Sequence, residues 1–148
     1  MGKIYFVHRF VPYFVQIVKP IHSLLHKDMS FNWNSEKKST FTLIKDALAS
    51  APVLAKPDFN KGFQLYANAT EQAILVILIQ LDSESYERPI SFMSQSLTDV
   101  EFKFPYVEKN TLAFVVALCK FHHYLHDRHT IVKLPILVVK HMLSQTYL

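Results

Sequence analysis

The chain has 148 residues, of which half are hydrophobic and 19% are charged, and its formal net charge is +4. This size fits one domain, or one domain with an appendage, and the apolar content excludes a disordered tail. With two glycines and one cysteine, the sequence excludes phosphate-binding P-loops, dinucleotide-binding fingerprints, internal disulfides and cysteine-based zinc modules.

The first third of the chain has the apolar spacing of helices. Apolar residues recur at helical spacing through residues 4–25, with Pro20 expected in the first turn of a helix. Asn34 or Ser35 is a suitable N-cap for a second helix, whose apolar stripe is predicted to comprise Phe41, Ile44, Leu48 and Ala51. The proline after this stripe ends the helix, because the residue before a proline avoids the α region.

The middle of the chain changes to the period of β-strands. Apolar and polar residues alternate over residues 63–68, and residues 73–81 form a run rich in β-branched side chains. A polar turn follows at residues 82–87, and residues 89–93 are predicted to be a third, short strand. These segments predict a three-stranded antiparallel meander.

The last third begins with a helical pattern at Pro105. Its apolar face is predicted to comprise Leu112, Val115, Val116, Cys119 and one of Tyr124 and Leu125. On this face the Cys119 thiol is expected to be buried and inert. A fourth strand over residues 130–134 and a short helix over residues 136–143 complete the order of helices followed by β-β-β-α-β-α.

This order is that of the ribonuclease H fold, and several segments resemble the polyprotein of gypsy-class LTR retrotransposons. The resemblance spans the junction between reverse transcriptase and its ribonuclease H domain. Residues 6–33 are similar to the family's thumb and connection segment, and residues 41–59 to the helix and "PDF" signature before the first ribonuclease H strand. Residues 88–97 resemble the third strand, and residues 106–125 resemble the long helix that carries a glutamate.

The resemblance implies an α/β (α+β) fold, with a ribonuclease H-like mixed sheet (β-β-β-α-β-α) preceded by a helical thumb/connection segment. We expect residues 1–56 to form the thumb/connection remnant. Residues 57–148 are expected to form a truncated ribonuclease H-like domain from which the C-terminal helix of the fold is missing. An exposed apolar patch is therefore expected near the fourth strand and residues 136–143.

The ribonuclease H reaction needs clustered carboxylates that hold two Mg²⁺ ions about 4 Å apart. The family supplies four such carboxylates. The first falls here on Asn68, whose neutral amide is a weak ligand, and the second falls on Glu108, which is retained. The third falls on Pro135, or on residues 140–141 in an alternative register, and the fourth lies beyond Leu148. The resemblance thus predicts a ribonuclease H-like fold without an intact catalytic site and without a resident metal.

Other residues are weaker candidates for binding. The resemblance implies that the family's nucleic-acid groove would be lined here by Lys3, Arg9, Lys19 and Lys27, although a solvated basic surface is the competing interpretation. The family's small residues beside the first carboxylate fall here on Ala73 and Leu75, which predicts a filled approach for a substrate.

Two histidine pairs have the spacing of metal ligands on a helix. His22 with His26, and His122 with His126, are four residues apart and could each bind one ion. No acidic or thiol ligand is evident near either pair in the sequence, so packing or solvated histidines are the favoured interpretation.

These observations predict a binding module that takes no cofactor and binds a protein partner or, weakly, an RNA–DNA hybrid or another nucleic acid. One alternative is a fragment of a reverse transcriptase–ribonuclease H polyprotein that hydrolyses RNA in RNA–DNA hybrids and uses Mg²⁺. Another is a structural subunit of a larger assembly. We expect an intracellular protein without a membrane partner, because no secretory signal or spanning segment is evident in the sequence.

Overall fold

A computed structural model describes residues 8–25 and 30–144, without the side chain of Arg9. Lys3, His26 and Lys27 lie outside the described residues. The described residues form four α-helices and four strands, which are α1 (Phe14–His22), α2 (Ser35–Ala49), β1 (Phe63–Ala69), β2 (Ala73–Leu81), β3 (Glu87–Ser96), α3 (Tyr106–Leu125), β4 (Thr130–Lys133) and α4 (Ile136–Ser144). None of the helices in these ranges combines the length and apolar content needed to cross a membrane.

The four strands form one mixed sheet in the order β3-β2-β1-β4. β1, β2 and β3 are antiparallel neighbours, which confirms the predicted meander, and β4 runs parallel to β1. β3 is longer than predicted at both ends, because its pairing with β2 continues from Glu87 opposite Leu81 to Ser96 opposite Ala73. The parallel β1–β4 pair is joined through α3, the crossover that such a pair requires.

Close contact between β1 and the chain before β4 requires a glycine. The amide of Phe63 donates a hydrogen bond of 3.0 Å to the carbonyl oxygen of His129. A Cβ atom on Gly62 would lie 2.9 Å from that oxygen, nearer than Cβ atoms approach backbone oxygens in proteins. Gly62 therefore lets the two strands begin side by side.

α3 packs on the first face of the sheet, against β1 and β2. The inward side chains of β1 are buried, as the alternating pattern predicted, and α3 contributes Ala113 and Ala117, which are both fully buried. The predicted helix face is wrong in part, because Val115 is 48% exposed and Cys119 is also exposed. Ala113 and Ala117 let the helix axis approach the sheet closely. Of the large apolar residues of α3, Phe121 is buried in this core, and the predicted Leu112 and Val116 pack against it.

The side chain of Asn110 links the first part of α3 to the end of β1 by a hydrogen bond. Its side chain is fully buried, its Oδ1 accepts a hydrogen bond from the Ala69 amide at 2.9 Å, and its Nδ2 donates to the Tyr106 carbonyl at 2.9 Å. Both polar ends of the amide are thus satisfied without water.

The two N-terminal helices pack on each other, and α1 also packs against β3. Their shared core comprises Val11, Phe14, Val18, Ile21 and Ile44. α1 is also joined to the sheet by a hydrogen bond from the Val15 amide to Ser94 Oγ at 3.0 Å. The prediction for Pro20 is wrong, because Pro20 lies near the end of α1 and not in a first turn. The predicted cap of α2 is confirmed, since Asn34 Oδ1 accepts from the Lys37 amide at 3.1 Å.

Apolar side chains are exposed around β4 and α4. Ile136 is 70% exposed and Leu143 is 81% exposed, and Ile131 and Leu137 are exposed as well. This confirms the exposed apolar residues predicted for this part of the chain.

Replacement of Asn110 tests the role of the buried amide. We expect Asn110→Ala to lower the free energy of unfolding by about 1–3 kcal/mol, because the Ala69 amide loses its buried acceptor and the Tyr106 carbonyl loses a donor, although Asn68 Oδ1 still accepts from the Ala69 amide. Urea denaturation followed by circular dichroism measures the change, with the exposed residue Lys120 changed to Ala as the matched control on the same helix. Equal urea midpoints for Asn110→Ala and the control would show that the hydrogen bond adds nothing.

Candidate functional site

The second face of the sheet, opposite α3, carries the positions that the sequence singled out. Strand register places Asn68 beside Leu75, Tyr66 beside Ile77, and Ile77 beside Phe92 on this face. These side chains alternate with the buried residues that face α3. α1 covers the face at β3, and part of the face over β1, β2 and β4 is left open by the described residues.

The open part contains a cavity of about 410 Å³, which we call the sheet cavity. It lies between the chain before α1, the three strands β1 to β3, and the connection from β4 to α4. Its lining comprises Pro12, Tyr13, Tyr66, Ala67, Asn68, Leu75, Val76, Ile77, Phe92, Met93, Lys133, Leu134 and Pro135.

The structure brings two of the three predicted site positions together. Asn68 and Pro135 both line the sheet cavity, although 67 positions separate them in the sequence. Glu108 does not line it and is exposed in the first turn of α3. Leu75 also lines the sheet cavity, so a bulky apolar side chain stands beside Asn68 at one of the positions where the resemblance implies small residues.

The side chains of the sheet cavity do not fit a pair of Mg²⁺ ions. Its lining residues include no carboxylate, and Pro135 offers no side-chain ligand. Asn68 offers one neutral amide oxygen, which already accepts from the Ala69 amide at 2.9 Å. Hard divalent cations require several charged oxygen ligands, which these residues do not provide.

The histidine pair of α3 also lacks the ligands of a metal site. The rings of His122 and His126 lie 5.1 Å apart, and His126 Nδ1 is 2.9 Å from Asp127 Oδ2. Within residues 8–25 and 30–144, no three His, Cys, Asp or Glu side chains are grouped so that they could hold an ion. The second pair includes His26, which lies outside the described residues.

A charged network borders the sheet cavity, and the sequence did not reveal it. Lys133 Nζ donates to the Tyr66 hydroxyl at 2.5 Å, and that hydroxyl donates to Glu87 Oε1 at 2.5 Å. Lys133 Nζ also lies 3.4 Å from Glu87 Oε1 and 4.5 Å from the centre of the Tyr66 ring. These three residues come from three strands, so no local pattern could have grouped them.

The network shifts the titration of both charged groups. The hydrogen bond from Tyr66 is the main cause that lowers the pKa of Glu87, and Lys133 lowers it further. The pKa of Lys133 is raised, first by its hydrogen bond to Tyr66 and then by Glu87. The carboxylate and the ammonium therefore stay charged together over a wide pH range.

Of the four predicted basic residues, Lys19 is the one whose side chain is described. It is exposed, and its Nζ donates to Gln72 Oε1 at 2.6 Å in the turn between β1 and β2. A second lysine, which the sequence analysis did not single out, reaches the same turn. Lys109 Nζ donates to the Glu71 carbonyl at 3.2 Å and lies 4.9 Å from the centre of the Phe102 ring. Because Gln72 is neutral, this bond does not pair Lys19 with a carboxylate.

Comparison of the sequence with known families gives one match. A family described as the RNase H-like domain found in reverse transcriptase matches residues 33–132. The transposon Tf2-3 polyprotein of Schizosaccharomyces pombe is 27% identical over 127 residues, which cover 86% of this chain and 10% of that polyprotein. The Tf2-4 polyprotein of the same organism matches equally. The chain spans about a tenth of the length of these curated relatives.

Solved structures share the fold. A foamy viral protease-reverse transcriptase in complex with dsDNA superposes with a TM-score of 0.81 at 25% identity, over 99% of this chain and 30% of that chain. A foamy viral protease-reverse transcriptase in complex with RNA/DNA hybrid gives a TM-score of 0.75 at 26% identity, over 88% of this chain and 18% of that chain. These similarities confirm the predicted ribonuclease H-like mixed fold.

Acid titration tests the network at the sheet cavity. Because the folded-state pKa of Glu87 is lowered, its stabilising effect is present above its unfolded pKa of about 4.3 and is lost as the pH falls through the folded value. We expect Glu87→Gln to have a lower urea midpoint than wild type at pH 7, and this difference to shrink towards pH 3. Glu84→Gln, an exposed change in the neighbouring turn, is the control. A Glu87→Gln difference that is independent of pH would contradict the assignment.

Proposed function

This chain belongs to the family of RNase H-like domains found in reverse transcriptase, and we propose that it acts by binding and not by hydrolysis. Its relatives include retrotransposon polyproteins. The observation that supports the proposal is the lining of the sheet cavity. At the positions where the resemblance places the first and third carboxylates, the cavity has Asn68 and Pro135 in apolar surroundings.

Electrostatics in the sheet cavity oppose metal-dependent hydrolysis. Two-metal cleavage of a phosphodiester depends on carboxylates that offset the charge of both cations. The one ionic side chain among the lining residues is Lys133, which carries a positive charge. Its charge is matched by Glu87 at the border, so the network contributes no net negative potential to attract a cation. Glu108 alone does not replace the missing charge.

The binding role has two candidate partners. Two structural neighbours are complexes with dsDNA and with an RNA/DNA hybrid, and Lys19 and Lys109 place two ammonium groups at the β1–β2 turn, where their hydrogen bonds go to a neutral amide and a carbonyl. The exposed apolar residues of β4 and α4 support a protein partner instead. In either case we propose that the chain acts as one binding unit with two parts. These are a helical thumb/connection remnant, residues 1–56, and a ribonuclease H-like domain, residues 57–148.

The competing proposal is that the chain is a fragment of a hydrolytic polyprotein. The observation that favours it is the length of the curated relatives, of which this chain spans about a tenth. In that case the missing ligands for Mg²⁺ would be supplied by parts of the polyprotein outside this sequence.

Cleavage of a labelled RNA–DNA hybrid separates the two proposals. With Mg²⁺ or Mn²⁺, we expect the chain to release no more product than its Glu108→Gln variant, which lacks the one retained carboxylate. Product is measured on denaturing gels, with an active ribonuclease H as the positive control. Turnover above that of Glu108→Gln would contradict a non-catalytic role.

Salt-dependent binding separates the nucleic-acid partner from the protein partner. If the hybrid binds at the β1–β2 turn, its affinity falls as salt rises, and Lys19→Gln makes the slope of log K against log salt shallower by about 1. Fluorescence anisotropy with a labelled hybrid measures the slope. Lys120→Gln, an exposed change on α3, is the matched control and should leave the slope unchanged. Equal slopes for wild type and Lys19→Gln would exclude this turn as the contact.

A further inference from the structure

We propose that the sheet cavity binds a neutral, planar heteroaromatic ring system of nucleoside size, with a purine as the best match. The inference deepens the proposed binding function, and rests on it, because it assigns a ligand class to the cavity that we propose holds no catalytic metal. The cavity volume of about 410 Å³ lies in the range of small-molecule sites in proteins.

The floor and walls of the sheet cavity are suited to a flat ring. Leu75 and Ile77 of β2 are half-buried on its floor, and Phe92 of β3 is buried beside Ile77. Burial of apolar surface is favourable, so these apolar side chains favour a ligand whose flat faces carry few polar groups. Aromatic lining adds a preference for ring systems, which stack or make edge contacts with Phe and Tyr.

Tyr13 forms one edge of the opening. Its ring is 55% exposed, and it lines the sheet cavity from the residue just before α1. Its backbone has φ 57° and ψ 22°, the left-handed conformation that bulky residues avoid. Tyr66 supplies a second tyrosine among the lining residues. Two tyrosines at a half-open cavity are a suitable pair of contacts for one ring system.

The charge of the border selects a neutral ligand. The Lys133 ammonium is matched by Glu87 at 3.4 Å and by the Tyr66 hydroxyl, so neither sign of charge is in excess there. A charged ligand would lose water against apolar walls without gaining an opposite charge. This argues against a phosphate or a carboxylate as the group that the cavity binds.

Asn68 supplies the polar contact that distinguishes a purine from a hydrocarbon. Its side chain is exposed at the sheet cavity, and none of the hydrogen bonds among the described residues uses its Nδ2 as donor. Its Oδ1 accepts from the Ala69 amide and has a second lone pair. A primary amide presents a donor and an acceptor side by side, which matches the N6 and N7 edge of adenine.

Titration of the full chain with adenosine tests the proposal. We expect saturable binding at one site by isothermal calorimetry, with ¹H–¹⁵N NMR shifts centred on Tyr66, Asn68 and Ile77. Ile77→Trp fills the cavity and should abolish binding, whereas Val115→Trp, which adds the same ring on the exposed side of α3, should not change it. Asn68→Leu, a substitution of an exposed side chain, should weaken binding about tenfold and serves if Ile77→Trp does not fold.

Three outcomes would overturn the proposal. One is the absence of saturable adenosine binding, another is binding that Ile77→Trp and Asn68→Leu leave unchanged, and the third is a strong preference for adenosine monophosphate over adenosine. The third outcome would assign the site to an anion. Because these measurements detect binding and not cleavage, they can fail while the hybrid-cleavage result stands, and the reverse also holds.

Discussion

The close packing of α3 against β1 is the constraint on which the rest of the structure depends. Ala113 and Ala117 allow the helix to pack closely against the sheet. Asn110 joins the helix to Ala69, the last residue of β1, through a buried hydrogen bond. This contact covers β1 and β2 on one face of the sheet. It also sets the path by which the chain returns to place β4 parallel to β1, beside Gly62. The sheet cavity lies on the second face, which α3 does not cover.

The second face is partly covered by the chain's own N-terminal segment, and this produces the candidate site. α1 is joined to β3 through Ser94 and to the β1–β2 turn through Gln72, so it leaves β1 and β4 open. The uncovered area contains Asn68 and Pro135, the positions that the resemblance assigned to two metal-binding carboxylates. The sheet cavity therefore has an amide, a proline and apolar neighbours at these positions. These groups support the binding of a neutral ring in preference to the coordination of cations.

The elements could be predicted wherever one strong local pattern decides them. Alternation defined β1, the β-branched run defined β2, and the two cap candidates, Asn34 and Ser35, placed the start of α2 within one residue. The buried face of α3 could be predicted only in part, because Ala113, Ala117 and Asn110 are buried there for closeness and hydrogen bonding, which hydrophobic periodicity does not detect. The network of Tyr66, Glu87 and Lys133 depends on strand register across the sheet, so it appears only once β4 is placed beside β1.

A Mn²⁺ titration followed by NMR relaxation tests the central claim most directly, namely that this ribonuclease H-like fold lacks its metal-binding chemistry. Mn²⁺ broadens amide signals near any site that it occupies, independently of whether a hybrid is cleaved. The account predicts weak broadening spread over the exposed acidic residues, without saturation. Saturable broadening confined to the amides around Asn68, Glu108 and Pro135 would contradict it, because it would show that these residues still assemble a metal site.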